Sequence, residues 1–111
     1  SNKTRAIFSV PIYGNPCEMD DILSICKKYN LMLIEDCCES MGAKYKDKYV
    51  GSFGRIASFS FYYSHHITTL EGGICVTNDH DLAEMMRIVR AHGWVRQVEN
   101  REKWTNLYKD F

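Results

Sequence analysis

The apolar residues of this chain form either short unbroken runs or stripes at helical spacing, and the two patterns predict different elements. The run Ala6-Ile-Phe-Ser-Val10 predicts a short buried strand, because proline and glycine breakers follow it directly. The run Leu31-Met-Leu-Ile34 predicts a strand buried on both faces. Between them, a helix with one buried face is predicted from Glu18 to Tyr29 by the apolar residues Met19, Ile22, Leu23, Cys26 and Tyr29.

These three elements make one strand-helix-strand unit, whose strands we expect to be parallel with a right-handed crossover. Two further strands are predicted at Ile56–Tyr62 and Ile74–Thr77. About ten residues separate them, which is short for a helical crossover, so we expect the last strand to be antiparallel. The segment Gly42–Gly54 predicts a small excursion with a hairpin turn at Lys46-Asp-Lys48.

A second helix is predicted after Asn78 or Asp79, either of which can cap it, and Gly93 is expected to end it. Its apolar face is supplied by Leu82, Ala83, Met85, Met86, Ile88 and Val89. The tail from Trp94 to Phe111 carries scattered aromatics without a periodic pattern, and no element is predicted there.

Four strands and two helices give an α/β class with a mostly parallel sheet, in one partial domain over residues 1–111. Such a set leaves apolar faces and sheet edges uncovered. We therefore expect this chain either to be a piece of a longer protein or to pair with another copy of itself.

Composition excludes several classes of function. Fourteen basic and fourteen acidic residues cancel, so no domain-wide basic field is present to hold nucleic acid. No apolar stretch is long enough for a membrane span. The five cysteines are odd in number and lack a C-x-x-C pair, which favours free thiols in a reducing cytoplasm. Adjacent Cys37-Cys38 suggests a metal or redox pair, or, as we favour, two small buried residues at a strand end.

Polar residues follow the predicted strands, where ligands bind in open α/β sheets. Glu35-Asp36 is either a ligand group or a cap for the next turn, and residues alone favour the cap. Ser60 either holds a phosphate or satisfies the backbone. His65-His66 is either a metal pair or a polar loop; adjacent side chains on an extended segment point to opposite sides, which disfavours one bidentate site. Glu71-Gly-Gly73 predicts a tight turn whose glycines adopt positive φ.

Taken in order, these motifs resemble the DegT/DnrJ/StrS family of pyridoxal-phosphate-dependent sugar aminotransferases and dehydratases. The resemblance runs from about Arg5 to Gly93 and implies the large cofactor-binding domain of the aspartate-aminotransferase fold, with three α/β/α layers and a mostly parallel sheet with one antiparallel strand. The motifs that carry it are Tyr13-Gly-Asn-Pro16, Ile34-Glu-Asp36, Gly51-Ser-Phe-Gly54, Ser60-Phe-Tyr-Tyr-Ser-His65-His-Ile-Thr-Thr, Glu71-Gly-Gly and Val76-Thr-Asn-Asp79.

The resemblance implies a role for each matching residue. Asp36 falls where the family pairs a carboxylate with the pyridine nitrogen, and Ser60 where a serine binds the cofactor phosphate. Glu39 falls where many members have a glutamine near the ring oxygen. His65 falls at the usual lysine position, and His66, at a position commonly Asn or His, is assigned no chemical role.

Histidine at that position changes the implied reaction, because imidazole cannot form the covalent link that a lysine amine makes with the cofactor aldehyde. The histidine-bearing branch, with a similar Ser-Phe-Tyr-x-x-His-His frame, removes the 3-hydroxyl from nucleotide-linked 4-keto-6-deoxyhexoses, using pyridoxal or pyridoxamine phosphate. The resemblance thus implies a cytoplasmic, homodimeric sugar 3-dehydratase with His65 as base and acid. The chain departs from the branch at Tyr63, Ser64 and Leu70.

One subset of that branch also carries an iron–sulfur cluster, whose first cysteine aligns with Cys38. The other three would fall near Arg96, Val98 and Asn106, and none is a cysteine, so we expect no cluster.

Two alternatives remain open. An ordinary sugar aminotransferase needs a lysine near the cofactor, whereas Lys44, Lys46 and Lys48 lie in the wrong segment. The isolated chain is alternatively an inactive scaffold, since the family completes its site with residues outside 1–111 and with a second subunit.

Overall fold

The computed structural model describes residues 1–107, which fall into two compact units, Ser1–Thr77 and a second beginning at Asn78. The first unit contains six strands and one helix. In chain order these are β1 (Ala6–Ser9), α1 (Met19–Tyr29), β2 (Met32–Asp36), β3 (Lys44–Tyr45), β4 (Lys48–Tyr49), β5 (Ile56–Ser60) and β6 (Gly73–Val76). The second unit contains α2 (His80–Arg90) and α3 (Arg101–Leu107). No helix within residues 1–107 has the length and apolar character that a bilayer span requires.

The sheet of the first unit has the strand order β1-β2-β5-β6. Strands β1 and β2 are parallel, as are β2 and β5, whereas β5 and β6 are antiparallel. The predicted α/β class, the parallel strand-helix-strand unit and the antiparallel last strand are therefore confirmed.

Helix α1 forms where its stripe of apolar residues predicts it. Its first turn carries Asp20 and Asp21 and its last turn Lys27 and Lys28, an arrangement that complements the helix dipole. Asn30 ends the helix in the left-handed conformation, at φ 51°. The buried residues Met19 and Cys26 pack with Leu33 of β2, so one face of the sheet is covered by this helix.

The hairpin and the end of β5 differ in detail from the sequence prediction. The turn is Lys46-Asp47, because Lys48 already pairs with Tyr45 in the hairpin. Strand β5 ends at Ser60 rather than Tyr62, and the Tyr62 N–H donates to the hydroxyl oxygen of Ser60 at 3.1 Å instead of to a neighbouring strand. The predicted strand was two residues too long, because aromatic residues such as Phe61 and Tyr62 favour strands.

In the second unit, Asp79 caps α2 by accepting the Leu82 N–H at 3.0 Å. Gly93, at φ 89°, donates its N–H to the Ile88 carbonyl at 2.8 Å and closes the helix as predicted. The predicted apolar face was partly wrong: Val89 is 69% exposed, and the polar Glu84 is buried.

Helix α3 lies in the tail where no element was predicted. It buries Trp104 against Ile88 and Val98. One buried aromatic side chain therefore holds this helix, which has no periodic apolar face. Residues 108–111, the end of that tail, lie outside the described residues.

Candidate functional site

Two candidate site residues lie at one edge of the sheet. Asp36 is the last residue of β2, and Ser60 is the last residue of β5. Because β2 and β5 are parallel neighbours, their carboxyl ends meet at the edge where open α/β sheets bind ligands.

Asp36 is held by donors from the chain itself. Its Oδ1 accepts the Cys38 N–H at 3.2 Å and the Ser58 hydroxyl at 3.3 Å. The cap interpretation of this carboxylate is thus observed, since it binds a backbone N–H two residues on. Asp36 remains only half-buried, which leaves the carboxylate accessible from the sheet edge.

The neighbouring carboxylate of Glu35 has a different role. It is 1% exposed and accepts the N–H groups of Gly51, Phe53 and Gly54 at 2.7, 2.8 and 2.6 Å. Successive strand residues point to opposite faces of a sheet, so Glu35 faces the core and Asp36 the other face. Glu35 therefore anchors the loop of residues 51–54 and is not a ligand group.

Of the two roles considered for Ser60, the structure contains the contact with the backbone. Its oxygen accepts the Tyr62 N–H, which satisfies the backbone. A hydroxyl that accepts one hydrogen bond keeps its own proton to donate, so Ser60 can still donate to an anion.

The histidine pair lies in a turn beyond β5. The His65 N–H donates to the Tyr62 carbonyl at 3.0 Å, and the two rings make an edge contact with centroids 6.0 Å apart. His65 is half-buried, and its Nδ1 is buried with no hydrogen-bond partner among the described residues. His66 is exposed.

An open pocket of about 460 Å³ lies beside this turn. It is lined by Tyr13, Glu39, Ser64, His65 and His66. The histidine pair does not lie on an extended segment, because residues 63–67 form a turn, and both histidines border the pocket. Of the predicted site residues, His65 and Glu39 line this pocket, whereas Asp36 and Ser60 are not among its lining residues.

Tyr13 was not singled out in the sequence as a site residue. Its N–H donates to Glu39 Oε2 at 3.4 Å, and its backbone has φ 54°, which a tyrosine rarely adopts. The Tyr13-Gly-Asn-Pro16 motif was the signal available, and its meaning depended on a contact with a residue 26 positions away.

In the loop before β6, two residues have positive φ, and one glycine lies close to the backbone of β5. Gly72 has φ 143°, but Gly73 does not have positive φ, so the prediction for the second glycine was wrong. Gly73 begins β6, where a side chain would place its Cβ 2.9 Å from the Phe59 carbonyl oxygen. Leu70 has φ 69°, a strained conformation for leucine.

Of the adjacent cysteines, Cys37 is fully buried and Cys38 is half-buried. Burial and, to a smaller extent, the nearby Glu35 carboxylate raise the pKa of the Cys37 thiol to about 12. Burial also raises the pKa of the Cys38 thiol to about 11, together with its hydrogen bond to Asp36. Both thiols stay protonated at neutral pH, so neither has the thiolate character of a redox or metal-binding cysteine.

A second polar cluster, in the second unit, is structural. The potential ligand atoms of His80, Asp81 and Glu84 lie within 4.8 Å of one another. Each of these side chains already has a protein partner: Glu99 at 3.4 Å from His80, Lys103 at 2.5 Å from Asp81, and Trp104 at 2.6 Å from Glu84. These contacts account for the cluster by themselves.

Comparison with known proteins gives several close matches. The chain is 55% identical over 107 residues to GDP-perosamine synthase of Escherichia coli O157:H7, covering 96% of this chain and 29% of that protein. It is 42% identical over 110 residues to GDP-4-keto-6-deoxy-D-mannose 3-dehydratase of Escherichia coli O55:H7, covering 99% of this chain and 28% of that protein.

A solved structure is also similar to this chain. The Escherichia coli GDP-4-keto-6-deoxy-D-mannose-3-dehydratase with bound hydrated PLP superimposes with a TM-score of 0.83 and 43% identity, over 90% of this chain and 26% of that one. The chain thus spans less than a third of the length of these relatives. The model of the DegT/DnrJ/EryC1/StrS aminotransferase family matches residues 1–108, and the chain belongs to that family.

Proposed function

We propose that the protein containing this chain binds pyridoxal or pyridoxamine phosphate and removes the 3-hydroxyl of a nucleotide-linked 4-keto-6-deoxyhexose, with His65 as base and acid. The observation that carries this proposal is the pocket lining, which among residues 1–107 includes His65 and no lysine. The similarity to a GDP-4-keto-6-deoxy-D-mannose 3-dehydratase supports it and favours a GDP-linked sugar.

The residues at the sheet edge fit the cofactor. A carboxylate at Asp36 suits a protonated ring nitrogen, and a hydroxyl proton at Ser60 suits a phosphate oxygen. When bound, the cofactor would supply a protonated ring that acts as an electron sink when a proton is removed beside it. Asp36 and Ser60 then act by orienting that group at the end of β2 and β5.

His65 is suited to moving a proton. Imidazole gains and loses a proton near neutral pH and can serve as base and then as acid. The ring borders the pocket, while its buried Nδ1 has no partner among residues 1–107. One nitrogen is therefore free of competing bonds from the described chain.

The lysines of the hairpin have other contacts. Lys46 pairs with Asp20. The ammonium groups of Lys44 and Lys48 lie over the rings of Tyr49 and Phe53, at 4.4 and 4.5 Å from the centroids. These contacts support the view that no hairpin lysine replaces the missing one at position 65.

A sugar aminotransferase is the second candidate, favoured by the 55% identity to GDP-perosamine synthase. It would require a lysine from elsewhere in the protein. A homodimer, a cytoplasmic location and a single partial domain over residues 1–111 also stay predictions.

The test uses the full-length protein, GDP-4-keto-6-deoxymannose and pyridoxamine phosphate, with mass spectrometry of the nucleotide sugar. We expect a product that lacks the 3-hydroxyl, and a loss of at least about 100-fold in rate in His65→Asn, because removing a general base typically costs that much. His92→Asn is the matched control, since His92 is exposed in the second unit and its φ of 58° suits asparagine. Borohydride fixation of the cofactor to the protein would instead indicate the lysine-dependent aminotransferase.

A further inference from the structure

Asp36 belongs to a row of side chains that crosses three strands. The backbone register pairs Asp36 of β2 with Ser58 of β5, and Ser58 with Cys75 of β6. Paired strand residues point to the same face of a sheet, so the three side chains share one face. Within this row, the Ser58 hydroxyl donates a hydrogen bond to Asp36 Oδ1 at 3.3 Å.

Two of the donors to Asp36 bind the same oxygen. Both the Ser58 hydroxyl and the Cys38 N–H donate to Oδ1. Two donors on one oxygen oppose rotation of the carboxylate about its Cβ–Cγ bond. The backbone donor is fixed by the chain, but the hydroxyl can be removed by one substitution.

The thiol of Cys38 beside the carboxylate is not a competing anion. The Cys38 thiol also hydrogen-bonds to Asp36, and its raised pKa of about 11 keeps it neutral at physiological pH. Asp36 is thus the negative group of this row, and Ser58 and Cys38 are its neutral donors.

We infer that Ser58 is a positioning residue that orients the Asp36 carboxylate toward the protonated ring nitrogen of the cofactor. The inference rests on the proposed function, since it concerns the same cofactor. Removal of the hydroxyl leaves the carboxylate less restrained, so the ring nitrogen is held less firmly and loses its proton more readily.

The experiment measures pyridoxal phosphate binding to the full-length protein by absorbance, together with the pH dependence of the bound-cofactor spectrum. In Ser58→Ala we expect the Kd to rise about three- to tenfold, the range for losing one hydrogen bond. We also expect the spectral transition of the ring to move to lower pH. Ser58→Thr keeps the hydroxyl and restores both values, which a purely structural role would not require.

Ser52→Ala is the matched control, because its hydroxyl donates to the Tyr49 carbonyl and not to Asp36. If Ser58→Ala has the same Kd and the same spectral transition as the unsubstituted protein, Ser58 does not position Asp36, while the proposed function stands. If the unsubstituted protein binds no cofactor, the proposed function fails and this inference fails with it. Ser58→Cys, of similar size with a weaker donor, gives an intermediate result if the inference is correct and matches the unsubstituted protein if it is wrong.

Discussion

Two adjacent carboxylates at the end of β2 differ completely in their surroundings. Glu35 is buried with three backbone donors, whereas Asp36 is half-buried with backbone, hydroxyl and thiol donors. The residue pattern alone placed both at a ligand-binding edge, and only the family resemblance gave a role to Asp36 and none to Glu35. The alternation of strand side chains separates them once the covered face of the sheet is known.

Glu35→Gln tests the anchoring role of the buried carboxylate. One carboxylate oxygen accepts from Phe53 and Gly54, and the other accepts from Gly51. The glutamine NH₂ would face a backbone N–H donor in place of one of these oxygens, so we expect a loss of about 1–3 kcal/mol in the free energy of unfolding. Urea denaturation measures it.

Glu71→Gln is the control for that substitution, because Glu71 is exposed and we expect a change within about 0.5 kcal/mol. Equal stability of the two variants would show that the bonds from residues 51–54 contribute nothing measurable.

At the scale of elements, the contact between α2 and α3 depends on a buried acid. Glu84 of α2 accepts the Trp104 indole N–H at 2.6 Å and the Glu99 N–H at 2.5 Å. The indole hydrogen bond lowers the pKa of Glu84, with the backbone bonds adding to it. A carboxylate with a lowered pKa stabilises the folded state above its unfolded pKa, and this contribution is lost as pH falls through the folded value.

We therefore expect the second unit to lose stability on acidification below the ordinary pKa of a glutamate. Both tryptophans of the chain, Trp94 and Trp104, lie in this unit, so their fluorescence follows its unfolding. Glu84→Gln should weaken the acid dependence while lowering stability at neutral pH. Asp20→Asn is the control, because Asp20 also has a lowered pKa through Lys46 but lies in the first unit. An unchanged acid transition in Glu84→Gln would refute the role of this carboxylate.

The elements differ in how far the sequence could predict them. Helix α1 and strands β1, β2 and β6 were predicted within two residues at either end, because local periodicity and breakers specify them. Helix α3 was missed, since its position depends on the burial of Trp104 against residues of α2 and the intervening loop. Local patterns carry no information on such tertiary contacts.

The candidate site was likewise only partly predictable from the sequence. The order of the motifs along the chain, through the family resemblance, indicated Asp36, Ser60 and His65 as site residues. The Tyr13–Glu39 contact and the Ser58–Asp36 bond could not be predicted, because each joins residues more than twenty positions apart.

At the scale of the molecule, few of the described residues could bind a phosphate. Ser60 is the one proposed phosphate donor, and among residues 1–107 no lysine or arginine lines the pocket beside His65. A dianionic phosphate is bound firmly by several backbone and cationic donors together. The sheet face opposite α1 also carries exposed apolar surface, including Phe8 at 59% exposure.

We therefore expect the isolated 111-residue chain to bind pyridoxal phosphate too weakly to change its absorbance at micromolar concentrations, whereas the full-length protein does so with saturation. The two proteins are titrated side by side in the same buffer, with circular dichroism to establish that the isolated chain is folded. Saturable binding by the folded chain, abolished by Ser60→Ala, would show that Asp36 and Ser60 suffice to hold the cofactor. In that case the remaining two-thirds or more of a relative's length would serve the sugar and its nucleotide rather than the cofactor.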